Sequence, residues 1–316
     1  KRVALAQALV MQPDVLILEG LSLFVFMAND VLLFYLFFEA TLIPTYFLIV
    51  GFGGVRRSYA AVKFLLFSLA GGLIMLASVV GVYVVGAAQG VPSYLVPDLA
   101  AIRFDGDLGR WLMLGFLIAF IIKAPMVPLH TWLPDAAENA TPGTSTLLVG
   151  VLDKIGTFGM IKFCLGLFPE ASLWITPFMV WFAVVSIIWG ALGAIGSRNL
   201  LRLVSFTSVS HFGFMVLGIY AFTTASMSGS ILYMLNHGFS TAAMFLVVGF
   251  MAKRTGSYDI AAYGGVQKVA PVTAGVLLVS GLSVLSLPGL GPFVSEFMVI
   301  AGTWCRYPIV TAVSII

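Results

Sequence analysis

Charge is what this sequence has least of. Only 9% of its 316 residues are Asp, Glu, Lys or Arg, against about a quarter in soluble domains, and 60% are hydrophobic. That deficit excludes a soluble globular domain and marks an all-α polytopic membrane protein. Cysteine is nearly absent too: Cys164 lies in an apolar run and Cys305 in a short loop, with no C-x-x-C pair, so both read as unpaired thiols. No His/Cys/carboxylate set has ligand spacing within one element, which argues against a metal site. There is no basic stripe with interleaved aromatics. The net charge of +3 therefore comes from loop cations that report topology, not a nucleic-acid partner. No G-x-x-x-x-G-K-[ST] loop exists to cradle a nucleotide, and no signal-peptide pattern opens the chain. Its end falls inside the apolar run Ile309 to Ile316, so the chain is expected to be truncated at both ends.

A span needs about 20 apolar residues at ~1.5 Å rise each. This ruler predicts membrane helices near 30–50, 59–86, 110–137, 143–167, 173–194, 199–222, 228–252 and 271–303, with partial ones ending near 28 and beginning near 308. If they alternate, the loops with Arg56/Arg57, Arg198/Arg202 and Lys253/Arg254/Lys268 share one side, which the positive-inside rule makes cytoplasmic. The long 87–110 loop on the other side carries Asp98, Asp105 and Asp107 beside Arg103 and Arg110.

Two of the spans are discontinuous. Pro125 and Pro128 interrupt one directly after Lys123; Pro288, Gly289, Gly291 and Pro292 interrupt another just before Glu296. Proline removes a backbone donor and clashes with the preceding turn, which hydrocarbon does not tolerate unless protein or a wet cavity surrounds the freed carbonyls. A pair of interrupted spans, each within four residues of an ion, points to an inverted-repeat transporter with its site at mid-membrane.

Six ionisable side chains lie inside otherwise apolar spans: Glu39, Lys123, Lys154, His211, His237 and Glu296. A charge at bilayer depth costs about 3 kcal/mol or more, and six of them read as a proton path. Glu39 is too short to snorkel out of its aromatic run, so it is protonated or paired. Burial penalises the charged forms of Glu39 and Lys123 and contact between them restores both, so such a contact would form a switchable gate. Lys154 falls near the middle of its helix. His211 follows Thr207 and Ser208, and His237 has Tyr233, Ser240 and Thr241 one turn away, giving each imidazole a polar helix face. Lys63 and Lys162, near helix ends, read as snorkelling lysines. His130, in a loop-like stretch, either lines a cavity mouth or is structural.

The segments Phe37-Phe38-Glu39-Ala40-Thr41-Leu42-Ile43-Pro44, Lys123-Ala124-Pro125-Met126 and His130-Thr131-Trp132-Leu133-Pro134-Asp135-Ala136 resemble the antiporter-like membrane subunits of respiratory complex I. A glutamate, Glu296, in the distal broken helix resembles the branch that departs from its lysine-bearing L- and N-type relatives. The resemblance runs from about residue 19 to the end. It implies a fourteen-helix fold of two inverted five-helix repeats, with a gate glutamate at Glu39, its partner at Lys123, a central lysine at Lys154, linking histidines at His211 and His237, and an exit acid at Glu296. It further implies a multi-pass subunit in a bacterial cytoplasmic membrane, holding no cofactor itself. NADH, flavin, iron–sulfur clusters and quinone belong to partner subunits, and L- and N-type chains and the lipid bilayer are its neighbours. The alternatives are a subunit of a cation/proton antiporter or membrane-bound hydrogenase, and a silent membrane scaffold.

Two departures stand out. Asp153 precedes the central lysine where relatives carry an apolar residue; adjacent helical residues point about 100° apart, so it is expected to tune Lys154 without quenching it. Residues 1–18, from Lys1-Arg2-Val3-Ala4 to Val15-Leu16-Ile17-Leu18, resemble the stretch before the Walker B strand of ABC ATPases. They are expected to be a non-family segment, a possible fusion artefact without ATPase activity, ahead of an antiporter-like domain over 19–316.

Overall fold

The computed structural model describes residues 13–104 and 106–315, and among these the regular structure is helical apart from two isolated bridges. In chain order the helices are α1 (Pro13–Met27), α2 (Val31–Ala40), α3 (Leu42–Phe52), α4 (Arg57–Ala88), α5 (Val96–Ala100), α6 (Gly106–Lys123), α7 (Trp132–Asn139) and α8 (Pro142–Leu147). There follow α9 (Lys154–Gly159), α10 (Pro169–Ile195), α11 (Leu200–Tyr220), α12 (Thr224–Thr255), α13 (Val266–Val269), α14 (Pro271–Val284), α15 (Gly291–Trp304) and α16 (Pro308–Ile315). Caps set several ends: the Asp30 carboxylate accepts from the Leu33 N–H, Thr141 and Thr223 cap α8 and α12, and Asn199 caps α11. Gly256, at φ +74°, closes α12 in the left-handed conformation that L side chains resist.

The chain is an integral multi-pass membrane protein. Five helical runs are long and apolar enough to cross a bilayer: Val31–Phe52, Arg57–Ala88, Pro169–Ile195, Leu200–Tyr220 and Thr224–Thr255. The other three predicted spans are built from pieces. The breaks fall where proline was expected to put them, over 124–131 between α6 and α7 and over 285–290 between α14 and α15. Thr41, one turn before Pro44, makes a milder break between α2 and α3. The 143–167 span holds a feature that hydropathy does not reveal: two wide π turns, Leu148–Leu152 and Met160–Leu165, flank α9.

Loop contacts sort the two ends of the bundle. On one side the Gly54 N–H bonds to the Asn139 carbonyl, the Leu200 N–H to Tyr258 and the Ile260 N–H to Arg198. There Arg202 and Lys63 converge on Asp135, so the expected common side of these cation-bearing loops is borne out as geometry. On the other side 29–31 pairs with 94–96, and Thr223 reaches the Gly302 carbonyl. Asp105 lies outside the described residues, as do residues 1–12 of the segment expected to be foreign to the family. Helix α1 runs unbroken across the 18/19 boundary proposed for it.

Lipid gives no hydrophobic drive between helices, so close packing must come from small residues. Between α10 and α11 this seam is Gly190, Gly193 and Gly213: a Cβ at Gly190 would lie 2.5 Å from the Ser210 nitrogen, and one at Gly213 would lie 2.8 Å from the Ala183 carbonyl oxygen. Overpacking such a contact costs about 1–3 kcal/mol. Gly190→Val is therefore expected to lower the thermal unfolding midpoint of the assembled protein in detergent. Gly275→Ala, where nothing lies within 4 Å, should leave it unchanged. Equal midpoints for the two variants would show that the seam does not set the helix spacing.

Candidate functional site

The first part of the site gathers around the break after α6. Lys123, the last residue of that helix, is 1% exposed, and its Nζ has no hydrogen-bond partner. It lies 5.3 Å from the Phe38 ring centroid and 5.6 Å from that of Phe64. Aromatic faces attract a cation, so these rings hold the ammonium where no anion touches it. Phe34, Phe38, Phe116, Phe120 and Phe163 stack around the same place with centroids 4.5 to 6.5 Å apart. Glu39 projects from α2 against α4, where a Cβ on Gly72 would overlap its carboxylate. Its Oε1 is buried without a partner. The expected Glu39–Lys123 contact is absent from the ion pairs among the described residues.

The break itself is satisfied by protein. The Trp132 indole donates to the freed Ile122 carbonyl at 2.9 Å, and the Val127 N–H donates to the Ser186 hydroxyl at 3.0 Å. His130 does not join the buried ions; it packs between the rings of Trp189 and Phe206. Lys63 and Lys162 correct the snorkelling expectation. Lys63 pairs with Asp135 at 2.7 Å, in a cluster that Arg202 and Glu138 complete at 2.9 Å. Lys162 donates to the Ala28 carbonyl at 2.5 Å, at the end of α1.

Lys154 is the hinge of the second part. In an α turn the Asp153 N–H would bond to the Val149 carbonyl; the wide turn sends it to Leu148 instead, at 3.1 Å. The Val149 carbonyl is thereby open to Lys154 Nζ, which donates to it at 2.5 Å and lies 2.6 Å from His237 Nδ1. Either partner of the Lys154–His237 hydrogen bond can hold its proton. The His237 and His211 rings meet edge to face at 5.1 Å, and the His211 ring lies 5.7 Å from that of Tyr233. Tyr233 donates its hydroxyl to Glu296 Oε2 at 2.8 Å, and Ser286 donates to the same oxygen at 2.6 Å. His237 thus precedes His211 in space, the reverse of their chain order.

Tyr233 and Ser286 are the residues that sequence reasoning missed as members of this row. Tyr233 had a signal, its place one turn before His237. Ser286 had one only in retrospect: it sits in the break with φ +52°, a left-handed conformation that costs a non-glycine residue about 1–3 kcal/mol and is repaid here by its bond to Glu296. The hydroxyls expected to line the His211 face are already occupied, since Thr207 and Ser208 both donate back to the Val204 carbonyl. The apolar neighbours of Glu296 in the chain do not enclose its carboxyl; Val294 and Phe297 point outward.

Comparison with known proteins gives the family and the fold. Residues 28–316 match the family described as NADH:quinone oxidoreductase/Mrp antiporter, TM. The chain is 54% identical over 299 residues to NADH-quinone oxidoreductase subunit M of Mycobacterium tuberculosis (strain ATCC 25618 / H37Rv), with 92% of this chain and 54% of that protein covered. It is 37% identical over 296 residues to the subunit M of Escherichia coli (strain K12), covering 92% and 58%. The chain thus spans little more than half the length of the curated relatives it matches. Among solved structures, a chain of respiratory complex I from Thermus thermophilus with bound NADH superposes with a TM-score of 0.90 at 34% identity, covering 94% of this chain and 63% of that one. A chain of the Mrp complex from Dietzia sp. DQ12-45-1b shares the fold at 24% identity and a TM-score of 0.87, covering 96% and 57%. The resemblance of residues 1–18 to an ATPase segment finds no counterpart in these comparisons.

Two hydroxyls donate to one oxygen of Glu296, so together they should fix the position of its carboxyl. The double variant Tyr233→Phe/Ser286→Ala is expected to shift the carboxyl band of Glu296 in infrared difference spectra, with Glu296→Gln identifying that band. An unmoved band would mean that neither hydroxyl holds the carboxyl.

Proposed function

The chain belongs to the NADH:quinone oxidoreductase/Mrp antiporter transmembrane family, and from that premise we propose that it is the proton-translocating membrane subunit, of the subunit M type, of a bacterial NADH:quinone oxidoreductase. One observation carries the reading: Lys154, His237, His211, Tyr233 and Glu296 follow one another across four helices as closely spaced proton-holding groups. Lys154 gives a proton to His237 Nδ1. His237 Nε2 and His211 Nδ1, both buried without partners, are free to carry it on. Tyr233 accepts a proton on its hydroxyl as it passes its own to Glu296, the exit acid. Glu39 and Lys123 form the entry, where a change in their separation alters the charge each can hold.

This chain holds no redox centre in the proposed arrangement. NADH oxidation with flavin and iron–sulfur clusters, and quinone reduction, take place in partner subunits, and the L- and N-type chains lie alongside it in the cytoplasmic membrane. The cation-rich end of the bundle faces the cytoplasm. Residues 19–316 form the antiporter-like unit, with 1–18 outside it. A cation/proton antiporter or membrane-bound hydrogenase subunit would use much the same row, and the identities of 54% and 37% to quinone oxidoreductase chains favour the first reading.

Proton translocation in vesicles carrying the reconstituted complex, measured beside NADH-driven quinone reduction, tests this. Lys154→Arg keeps the charge but not the exchangeable proton, because guanidinium stays protonated at accessible pH. It is expected to lower pumping about a hundredfold or more, the lower end of what general acid–base groups contribute. Glu296→Gln should do the same, whereas Glu296→Lys should retain part of it, since the task needs a titratable group. Pumping equal to the unaltered complex in both Lys154→Arg and Glu296→Gln would make the row structural and leave the scaffold reading.

A further inference from the structure

The proposed path has a gap between Lys123 and Lys154, and one side chain not yet assigned a role lies in it. Asp153 is 0% exposed, and both its carboxylate oxygens are buried without a hydrogen-bond partner. Its direction follows from helix packing. Gly159 packs on the Phe120 ring, and a Cβ at Gly156 would lie 2.7 Å from the Phe120 carbonyl oxygen and 2.6 Å from the Ala124 nitrogen. Asp153 lies one turn before Gly156, and residues three apart are neighbours on a helix surface, so it shares the Gly156 side of this segment, which meets the end of α6. Asp153 is therefore carried one turn beyond Gly156, toward the break that follows Lys123.

A carboxylate so placed is poorly explained as a structural element. Asp153 makes no ion pair among the described residues, and an unpaired buried charge destabilises by several kcal/mol where an apolar or amide side chain would not. A titratable group is required only if something titrates it.

We propose that Asp153 is a proton relay between Lys123 and Lys154, an inference that rests on the proton-translocating reading of this chain. An Nζ–H bond of the Lys123 ammonium breaks and an Oδ–H bond forms on Asp153. That O–H then breaks as the proton bonds to the Nζ of a Lys154 that has already passed its own proton to His237. Asp153 returns to the carboxylate, Lys123 is left neutral to be recharged from the Glu39 side, and no redox step is involved. Neither lysine touches the carboxylate at rest, so rotation of the lysine arms or one bridging water closes each gap in turn, and the relay conducts only when both sides respond.

The test uses the intact complex in vesicles, with assembly read on native gels and pumping beside NADH-driven quinone reduction, for Asp153→Asn, Asp153→Glu and Lys154→Arg in parallel. The relay predicts that Asp153→Asn assembles fully yet pumps about a hundredfold less or worse, with Asp153→Glu restoring at least part of the loss. Asp153→Asn pumping like the unaltered complex while Lys154→Arg does not would overturn the relay and leave the path standing. Both pumping normally would overturn the path itself. If Asp153→Asn fails to assemble while Asp153→Glu assembles and pumps, the carboxylate is a structural counter-charge; if neither assembles, the position is one of packing. Each of these last two outcomes overturns the relay.

Discussion

The hydrogen bond between Lys154 Nζ and His237 Nδ1, at 2.6 Å, is the contact on which the rest of the interior depends. An ammonium in a bundle bounded by lipid is costly without acceptors, and this one has two, the second being the Val149 carbonyl. Neither is available in a regular helix packed at regular spacing. The wide turn at Leu148–Leu152 frees the carbonyl, and the neighbouring 150–154 wall must approach α12 closely enough for His237 to reach across. Gly150 and Gly238 allow that approach: a Cβ at Gly238 would lie 3.2 Å from the Gly150 carbonyl oxygen. Small residues, a distorted helix and a buried charge are thus one arrangement, and altering any of them strands the ammonium.

The same logic explains why the helix breaks are stable. Each break frees backbone groups at membrane depth, and side chains meet them: at the first, Trp132 donates to the Ile122 carbonyl and Ser186 accepts the Val127 N–H, and at the second the Asn236 amide donates to the Gly291 carbonyl at 2.8 Å. The break after α6 thereby places Lys123 at a helix end, beside rings and away from anions. The break before α15 places Ser286 where its hydroxyl reaches Glu296. Backbone irregularity here positions ions and is stabilised by the packing around it.

Much of this was legible in the sequence because hydropathy and proline act locally. The eight spans and both interruptions come from runs of apolar residues and from Pro125, Pro128, Pro288 and Pro292, and the structure keeps them within a few residues. The six ionisable side chains of the spans were visible for the same reason, and four of them, Lys123, Lys154, His211 and His237, are buried. What could not be read was anything decided between helices. Nothing in the chain order says that His237, not His211, meets Lys154, because that depends on how α11 and α12 rotate against α9. Lys63 looked like a snorkelling residue until α7 brought Asp135 to it, and Lys162 until α1 ended beside it. The π turns are also invisible, since an apolar run of Leu, Val and Gly has the same hydropathy whether its ladder is regular or wide.

The two halves of the interior differ in a way that bears on coupling. From Lys154 to Glu296 the groups are in contact or ring against ring, so on the proposed reading a proton that reaches Lys154 has a prepared route. From Glu39 through Lys123 to Lys154 there is no ion pair, and the unpartnered atoms Glu39 Oε1, Lys123 Nζ and both Asp153 oxygens accumulate there. Unsatisfied buried charges are costly at rest and respond strongly to any change in neighbouring charge or hydration, because the low dielectric that penalises them also amplifies the field acting on them. A signal from a neighbouring subunit would therefore act on this half first. On the proposed reading, control then lies at the gap and conduction at the contacts, an order that keeps the route closed until the gap is driven.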